Sequence, residues 1–382
     1  LLFSTIGYGF AFYYLFFEKK GNLIEIDLIY IGFYGLFLIT LISLLSSLIV
    51  AHNFAHNIFI HCIGIIFLIF NKDKKKKYLK HILLISIFVI SALIISKTHD
   101  DFSYYHLPFT KYLTEHKVIF GMGNLNHGYN LLSSLFFLNS TFYLPLIDYF
   151  SFHFTLGFVL IFFNYFILKK IYISKNNEVI KYLYIFSFLF FNLSFNRIAE
   201  YGTDKVGQLL ITLLILKLFS IVCFNKQENL NKILYLIPLL ALSISLKTYF
   251  LPYILLGLTI LLLNQKFFET FKKIFLSKSF LFFFLLLSVY FFHHFISTGC
   301  IISPLSQTCF GEKFTWARKT DEILSLSIWL EQWAKAGAGP NFRVENVSEY
   351  IQNFNWLSNW YEKYFLEKFL DQLGILIASF II

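Results

Sequence analysis

Two adjacent carboxylates, Asp100 and Asp101, follow an apolar run and begin the segment DDFSYYHLPFTKYL. Carboxylates beside a hydrophobic segment are costly unless they bind a ligand or take part in chemistry. A carboxylate at that boundary has the properties of a general base that deprotonates or orients a hydroxyl group. Helix capping is the alternative, because Asp is a preferred N-cap residue and a helix is predicted from about Phe102. Capping explains one acid well and two less well.

The aromatic residues after this pair extend the candidate site. Tyr105 lies four residues after Asp101, so both side chains would share one face of a helix. A tyrosine ring there suits stacking on a sugar, and His106 suits a phosphate oxygen or an acceptor hydroxyl. Anchoring at the membrane interface is the alternative for both residues, since tyrosine and histidine are common at headgroup level.

Asn126 and His127 belong to a polar patch, GMGNLNHGYN, farther along the same segment. Side-chain amides suit the hydroxyl groups of carbohydrates. They also form ordinary turns and caps, which is the competing interpretation for each residue.

A second set of charges lies in NRIAEYGTDK, between two apolar runs, and a single cation ends another run in SLKTYFLPY. The residues concerned are Arg197, Glu200, Asp204, Lys205 and Lys247. The cations could offset the charge of a phosphate. A local ion-pair network is the alternative for the loop, and snorkelling from a helix end is the alternative for Lys247.

Two cysteines, Cys300 and Cys309, lie nine residues apart in a polar segment. A disulfide between them is plausible in an oxidising compartment. A zinc pair is disfavoured, because the two cysteines show neither CxxC spacing nor nearby histidines in a zinc pattern. Whether the two thiols are joined stays open at this stage.

The composition indicates the class of protein that carries these residues. Of the 382 residues, 57% are hydrophobic, 14% are charged, and 51 are Phe. So little charge indicates an integral membrane protein. Although the net charge is +10, nucleic-acid binding is disfavoured because the cations lie between apolar runs. We predict an all-α, polytopic transmembrane bundle of about 10 to 11 spans, near 1–17, 28–50, 57–71, 82–97, 148–168, 179–195, 206–224, 232–246, 249–264, 275–297 and from 372.

Charge predicts which side of the membrane each loop faces. Basic loops follow every second span, at Lys72 to Lys77, at Lys169 and Lys170, at Lys226 and Lys232, and at Lys272 and Lys273. By the positive-inside rule these loops are cytoplasmic. The opposite side then receives 98–147, 196–205, Lys247 with Thr248, and 298–371.

Residues 131–147 are apolar enough to count as a further span, which would invert every later loop. We interpret them as helices that lie along the outer surface or dip into the membrane, with Pro145 and Asn139 breaking the run.

The predicted organisation has four parts. They are an N-terminal three-span region (1–80), a core (81–298) with a first exterior loop (98–147), an exterior amphipathic segment (299–371), and the start of a further span (372–382). Because the chain begins at Leu1 and stops within an apolar run at Ile382, we expect it to be part of a longer protein.

Several segments together resemble the GT-C superfamily of polytopic membrane glycosyltransferases, and more narrowly a bacterial family linked to surface polysaccharides. The resemblance covers roughly residues 82–320 and rests on HDDFSYYHLPFTKYL, FGMGNLNHGYNLLSSLFF, EYGTDKVGQ and STGCIISPLSQTCF. It implies transfer of a sugar from a polyprenyl-phosphate donor to a cell-envelope glycan or lipid acceptor. It also implies a multi-pass protein of the bacterial inner membrane with its active site on the periplasmic or exterior face.

The resemblance assigns roles to individual residues. The role of base falls on Asp100 or Asp101, with Asp101 preferred and Asp100 then a metal ligand. In the alternative, Asp100 is the base and Asp101 helps to bind a metal or a sugar hydroxyl. Asp204 corresponds to a second acid that helps to bind a metal or the donor phosphate. These assignments leave open whether the reaction needs a divalent cation, Mg²⁺ or Mn²⁺, as cofactor.

Two alternatives remain at the level of function. A transporter or flippase of a lipid-linked glycan would carry polar residues in mid-membrane, together with repeated broken helices, and the sequence shows neither. A polysaccharide polymerase or ligase would have an arginine-rich exterior loop, whereas the whole chain has three arginines, Arg197, Arg318 and Arg343. A nucleotide-sugar donor is disfavoured because neither a P-loop nor a Rossmann fingerprint occurs.

Overall fold

The computed structural model describes residues 1–16, 27–70, 75–94, 99, 101–174, 178–194, 200–224, 233–262, 267–339 and 342–381. Most of these residues are helical. Four helical segments are long and apolar enough to cross a membrane, namely Leu28–Ser47, Asp148–Ile173, Asp204–Val222 and Lys278–Thr298.

The described residues up to Leu193 contain eight α-helices. They are α1 (Leu2–Phe16), α2 (Ile31–Ser47), α3 (Phe54–Phe70), α4 (Lys75–Ile94), α5 (Leu107–Glu115), α6 (Ser134–Thr141), α7 (Phe154–Ile173) and α8 (Glu178–Leu193). A turn of π-helix over Phe102–His106 leads into α5, and a 3₁₀-helix over Asp148–His153 leads into α7.

The second half continues with α9 (Asp204–Phe224), α10 (Ile237–Leu246), α11 (Leu255–Leu262), α12 (Phe267–Phe275), α13 (Lys278–Thr298), α14 (Thr320–Ala334), α15 (Val347–Ile351), α16 (Leu357–Trp360) and α17 (Leu370–Ile381). Two short antiparallel strands, β1 (Ala338–Gly339) and β2 (Phe342–Arg343), follow α14. Each predicted span overlaps helical residues, but several of these helices are short: the span at 232–246 contains the helix Ile237–Leu246, and that at 249–264 is a 3₁₀-helix followed by Leu255–Leu262. Several basic residues predicted in loops, such as Lys75 and Lys170, lie at helix ends.

The apolar run at 131–147 forms a short buried helix. All eight residues of α6 are buried, and the helix packs against α2, α5 and α10. A helix of this length rises only about 12 Å, too little to cross a membrane. The structure thus has a short helix here, as predicted, and this helix is buried within unit 1; its position relative to the membrane stays a prediction. Asn139 lies within α6, which ends at Thr141, before Pro145.

The described chain divides into two compact units. Unit 1 comprises Leu1–Ile119, Leu132–Phe191 and Phe195–His293, and unit 2 comprises Phe120–Leu131, Asn192–Ser194 and His294–Ile382. These boundaries differ from the predicted ones: residues 1–80 share unit 1 with most of the predicted core, and the first exterior loop is divided between the units.

Within unit 1, close contacts between helix backbones determine how α1, α2 and α3 pack. A Cβ atom at Gly35 of α2 would lie 1.8 Å from the carbonyl oxygen of Thr5 in α1, and one at Gly7 would lie 1.8 Å from that of Gly64 in α3. Small residues at helix contacts allow this approach in apolar surroundings. Beyond them, α4 packs on α7, and α9 packs on α7 and α10.

Unit 2 is built around a disulfide and a polar turn. The structure joins Cys300 to Cys309, the pairing that their spacing had left open. Gln332 donates to the carbonyl oxygen of Gly337 at 2.8 Å, and the hydroxyl of Tyr350 donates to that of Lys335 at 2.7 Å. These bonds hold α14 to the segment after it.

Candidate active site

Three polar segments of unit 1 that are distant in sequence meet at the ends of apolar helices. They are 99–106 after α4, 200–204 before α9, and Lys247 at the end of α10. The Nζ atom of Lys247 forms an ion pair with Oδ1 of Asp204. The backbone amide of His99 donates to the carbonyl oxygen of Glu200 at 2.9 Å. The fold therefore brings together candidate site residues that the sequence identifies separately in three segments.

Asp101 occupies the N-cap position of the turn Phe102–His106, yet its carboxylate makes no capping hydrogen bond. The amide of Phe102 donates instead to the carbonyl oxygen of His99 at 2.9 Å. The Asp101 side chain is 45% exposed, and the Tyr105 hydroxyl donates to its Oδ2 across a long contact of 3.5 Å. Helix capping therefore does not explain this carboxylate, which remains accessible to a ligand.

The His99 ring lies beside Asp101 and accepts a backbone hydrogen bond. The Asp101 amide donates to Nδ1 of the His99 ring at 3.1 Å, so this nitrogen is an unprotonated acceptor. Oδ2 of Asp101 lies 3.6 Å from the same nitrogen. Because that nitrogen carries no proton, the approach is not a hydrogen-bonded ion pair, and Asp101 keeps acceptor capacity for a substrate hydroxyl.

Tyr105 and His106 form the buried side of the site. Burial raises the pKa of the Tyr105 hydroxyl above its ordinary value, and the carboxylates of Asp101 and Asp204 raise it further. Burial likewise lowers the pKa of His106 to about 3, with His99 and Lys247 adding to the shift. Tyr105 is thus a neutral hydroxyl donor at neutral pH, and His106 is a neutral imidazole.

The His106 ring is packed between aromatic neighbours. Its centroid lies 4.4 Å from that of Tyr105, 5.2 Å from that of Phe136 and 6.2 Å from that of His99. Neither of its nitrogens has a partner at hydrogen-bonding geometry in the described part of the chain, although the Tyr201 backbone lies close enough to favour the charged form slightly. Interfacial anchoring does not suit a ring that is only 5% exposed.

The Asp204–Lys247 pair gives each residue a partner that the sequence did not predict. Thr203 also donates to Oδ1 of Asp204 at 3.2 Å, and the Lys247 ammonium lies 5.5 Å from the ring centroid of Tyr249. Asp204 is the first residue of α9, where the helix dipole favours a negative charge. Snorkelling alone therefore does not explain Lys247.

The two other predicted residues of this loop are buried. Glu200 is 4% exposed, and its carbonyl oxygen accepts the His99 amide. Lys205 is 7% exposed, and its ammonium lies 5.3 Å and 4.9 Å from the ring centroids of Phe190 and Phe191. These contacts indicate that Lys205 packs on aromatic rings within unit 1.

Asn126 and His127 lie in unit 2. The Asn126 side chain accepts from the amide of Gly128 at 2.8 Å and caps the 3₁₀-helix His127–Asn130, in agreement with the turn interpretation. His127 packs edge-on against Trp329 with ring centroids 5.1 Å apart. Burial lowers its pKa, and the charge of Arg318 adds to the shift.

Two predicted site residues, Asp100 and Arg197, lie outside the described residues. In the described ranges, no group of three or more His, Cys, Asp or Glu residues is placed to hold a metal ion. Of the two predicted metal ligands, Asp100 and Asp204, the structure describes Asp204, whose carboxylate is paired with Lys247.

The structure also adds residues that were not singled out from the sequence. His99 could have been found as the residue that precedes the two acids. Tyr201 contacts the rings of Phe102 and His153 at centroid distances of 4.4 Å and 3.8 Å, with a left-handed φ of 60°. No sequence signal marks Tyr201, because its position depends on how the loop before α9 meets the turn after α4.

Comparison with known proteins now places the chain in a family. A family described as a domain of unknown function, DUF8201, matches residues 1–382. The chain belongs to this family. No curated protein and no solved structure matches the chain. The family description names no activity, so function must be argued from the site.

Proposed function

We propose that this protein is a membrane glycosyltransferase of GT-C type that moves a sugar from a polyprenyl-phosphate donor to a cell-envelope glycan or lipid acceptor. One observation carries the proposal: an accessible carboxylate, a tyrosine hydroxyl, a neutral imidazole and a lysine–aspartate pair converge from three separate helix ends. Lipid-linked donors enter from the membrane, which suits a polar site beside apolar helices.

The proposed reaction is a direct displacement. Asp101 accepts the proton of the acceptor's hydroxyl group. The oxygen of that hydroxyl attacks the anomeric carbon of the sugar. The bond from that carbon to the donor phosphate breaks, and the phosphate leaves on its lipid with both bonding electrons. Lys247 is placed to offset the charge of the leaving phosphate, and Tyr105 can donate a hydrogen bond from its hydroxyl.

The proposed setting follows from the helix ends. The site residues follow α4 and α10 and precede α9. These three helix ends would lie on the same side of the membrane if the apolar helices cross it in alternating directions. By the positive-inside rule that side is exterior, so the protein would be a multi-pass protein of a bacterial inner membrane with a periplasmic or exterior site.

The test compares two conservative substitutions. The full chain is purified from its own membranes, and label transfer is measured from a panel of polyprenyl-phosphate sugars. Asp101→Asn should lower transfer about 10²- to 10⁴-fold, as expected for loss of a general base. Asp148→Asn is the matched control, because Asp148 is exposed and its φ of 50° is one that Asn tolerates.

Equal transfer by wild type and Asp101→Asn would remove Asp101 from catalysis. Absence of transfer with every donor would contradict the glycosyltransferase proposal and favour the transport or polymerase alternatives. A parallel series with a divalent-metal chelator determines whether transfer needs Mg²⁺ or Mn²⁺.

A further inference from the structure

The helix α12 (Phe267–Phe275) is too short to cross a membrane and directly precedes one that is long enough. Its nine residues rise about 14 Å, whereas a span needs roughly 20 residues. Two residues, Leu276 and Ser277, join it to α13, which is long and apolar enough to cross. The Ser277 hydroxyl accepts the amide of Phe280 at 3.1 Å, at the start of α13. This short connection holds α12 at the level where α13 would leave the membrane.

The side chains of α12 divide into three sectors around the helix axis, because successive residues are rotated by about 100°. Phe267, Thr270 and Ile274 form the contact sector. Thr270 is buried, and the two others are half-buried. This sector faces unit 1, in which α12 packs against α11.

The aromatic sector is the second one and consists of Phe268, Phe271 and Phe275. These three side chains are between 48% and 83% exposed. The Phe271 and Phe275 rings are stacked with centroids 6.0 Å apart, and the Phe275 ring lies 4.9 Å from that of Phe280 in α13. An exposed row of phenylalanines is costly in water, so this sector suits the acyl chains of lipids.

The charged sector is the third one and consists of Glu269, Lys272 and Lys273, all exposed. With Lys278 at the start of α13, residues 267–278 contain three lysines and one glutamate, a net charge of +2. The helix dipole favours an acid in the first turn and bases in the last, but it does not account for the aromatic sector alongside. A basic sector beside an aromatic one is typical of a helix that lies in the plane of a membrane surface.

We propose that α12 lies along the membrane surface and binds the anionic head groups of its lipids. The aromatic sector would enter the acyl chains, and Lys272 and Lys273 would lie among the head-group phosphates. The net positive charge of this region complements a negatively charged lipid surface. The proposal does not depend on glycosyl transfer, because α12 contains none of the candidate active-site residues.

The first test measures the depth of each sector. The full chain without Cys62 and Cys223 is placed in nanodiscs of phosphatidylcholine and phosphatidylglycerol, with one spin label at Phe268→Cys or at Glu269→Cys. The label at 268 should be accessible to oxygen and protected from a water-soluble nickel chelate, and the neighbouring label at 269 should show the reverse. Access of the chelate to 268 would identify a helix in water. Protection of 268 from both reagents would identify a protein contact, such as a second copy of the chain. Either result would overturn the proposal.

The second test measures the preference for anionic lipid. A phosphatidylglycerol with a photoreactive head group should cross-link to peptides that contain α12. Unlabelled phosphatidylglycerol should compete at least fivefold better than phosphatidylcholine, as expected if each lysine near the surface contributes about 1 kcal/mol. The double variant Lys272→Gln/Lys273→Gln should lose this preference.

The matched control is the double variant Lys313→Gln/Lys319→Gln, which removes the same charge from two exposed residues of unit 2. It should keep the wild-type preference at α12. Equal competition by the two lipids in the wild-type chain, an unchanged preference in Lys272→Gln/Lys273→Gln, or the same loss in the control would overturn the assignment of an anionic lipid surface.

Discussion

The side chains of Lys247 and Asp204 are 38% and 55% exposed, which limits what their ion pair contributes to folding. Exposed pairs typically contribute about 0–1 kcal/mol, because water screens the charges and two long side chains lose rotamer freedom. The pair joins two distant helix ends at the candidate site while contributing little to stability. Its substitution should therefore separate activity from stability.

The first residue-scale prediction is that Lys247→Met lowers transfer at least tenfold with little change in the free energy of unfolding, at most about 1 kcal/mol. The lost cation would no longer offset the leaving phosphate. Transfer assays and thermal unfolding in detergent measure the two effects. Lys111→Met is the control, since Lys111 forms an exposed pair with Glu115 in α5. Equal loss in both variants would show a nonspecific effect of charge.

The second residue-scale prediction concerns pH. The folded-state pKa of His106 is about 3, below the ordinary value of 6.5, so the unfolded chain binds more protons between these values. The stability contributed by neutral His106 is present above pH 6.5 and is lost as pH falls toward 3, by at most about 1.4 kcal/mol per pH unit. His52, whose pKa burial also lowers to about 3, acts in the same direction.

His106→Phe should therefore flatten the dependence of the unfolding midpoint on pH between 6.5 and 5. The measurement is thermal unfolding of the purified chain in detergent at several pH values. His116→Phe replaces an exposed ring and serves as the control. An unchanged slope in His106→Phe would mean that His106 is accessible to protons in the folded state.

At the scale of elements, glycines determine where helices approach one another. Helices in apolar surroundings gain little from the hydrophobic effect, so close backbone packing and hydrogen bonds hold them together. Gly35 and Gly7 provide such contacts between α1 and its two neighbours.

The element-scale prediction is that Gly35→Ala destabilises the protein by about 1–3 kcal/mol, since the added methyl group would overlap the backbone of α1. Gly257→Ala is the matched control. Apart from its chain neighbours and its own helix backbone, no atom of the described residues lies within 4 Å of a Cβ atom at Gly257. The higher helix propensity of alanine should therefore leave stability unchanged or raise it by about 0.5–1 kcal/mol. Thermal unfolding measures both, and equal midpoints would contradict the packing argument.

At the scale of the molecule, the proposed site would lie on one side of the membrane if the apolar helices cross it alternately. The short buried α6 would add no crossing, so the ends of α4, α9 and α10 that carry the site would share that side. We expect this count to set the topology of the second half of unit 1.

The corresponding prediction uses single cysteines in a variant without Cys62 and Cys223. Lys117→Cys, after α5, should react with a membrane-impermeant maleimide in intact cells. Glu178→Cys, at the start of α8, should react only after permeabilisation. Both positions lie in unit 1, and Glu178 is exposed. Failure of Glu178→Cys to react in intact cells would therefore mean that it faces the cytoplasm and not that it is buried. The reversed pattern would mean that the positive-inside assignment is wrong.

Hydrophobic runs by themselves determined where the long helices lie, because about 20 apolar residues without charge have few alternatives to a helix in an apolar environment. Side-chain chemistry also nominated Asp101, Asp204 and Lys247 one segment at a time. Residues 131–147 show the limit of this reasoning: their composition fits a span, but packing against α2, α5 and α10 makes a short buried helix.

Only the tertiary structure decided which polar groups meet. The Asp204–Lys247 pair joins residues 43 positions apart, and the His99–Glu200 bond joins residues still more distant in sequence. The Asn57 amide likewise donates to the carbonyl oxygens of Ser140 and Tyr143, which lie 83 and 86 positions away. Hydrogen bonds and ion pairs act over a few ångströms, and sequence patterns do not determine such distances between separate helices.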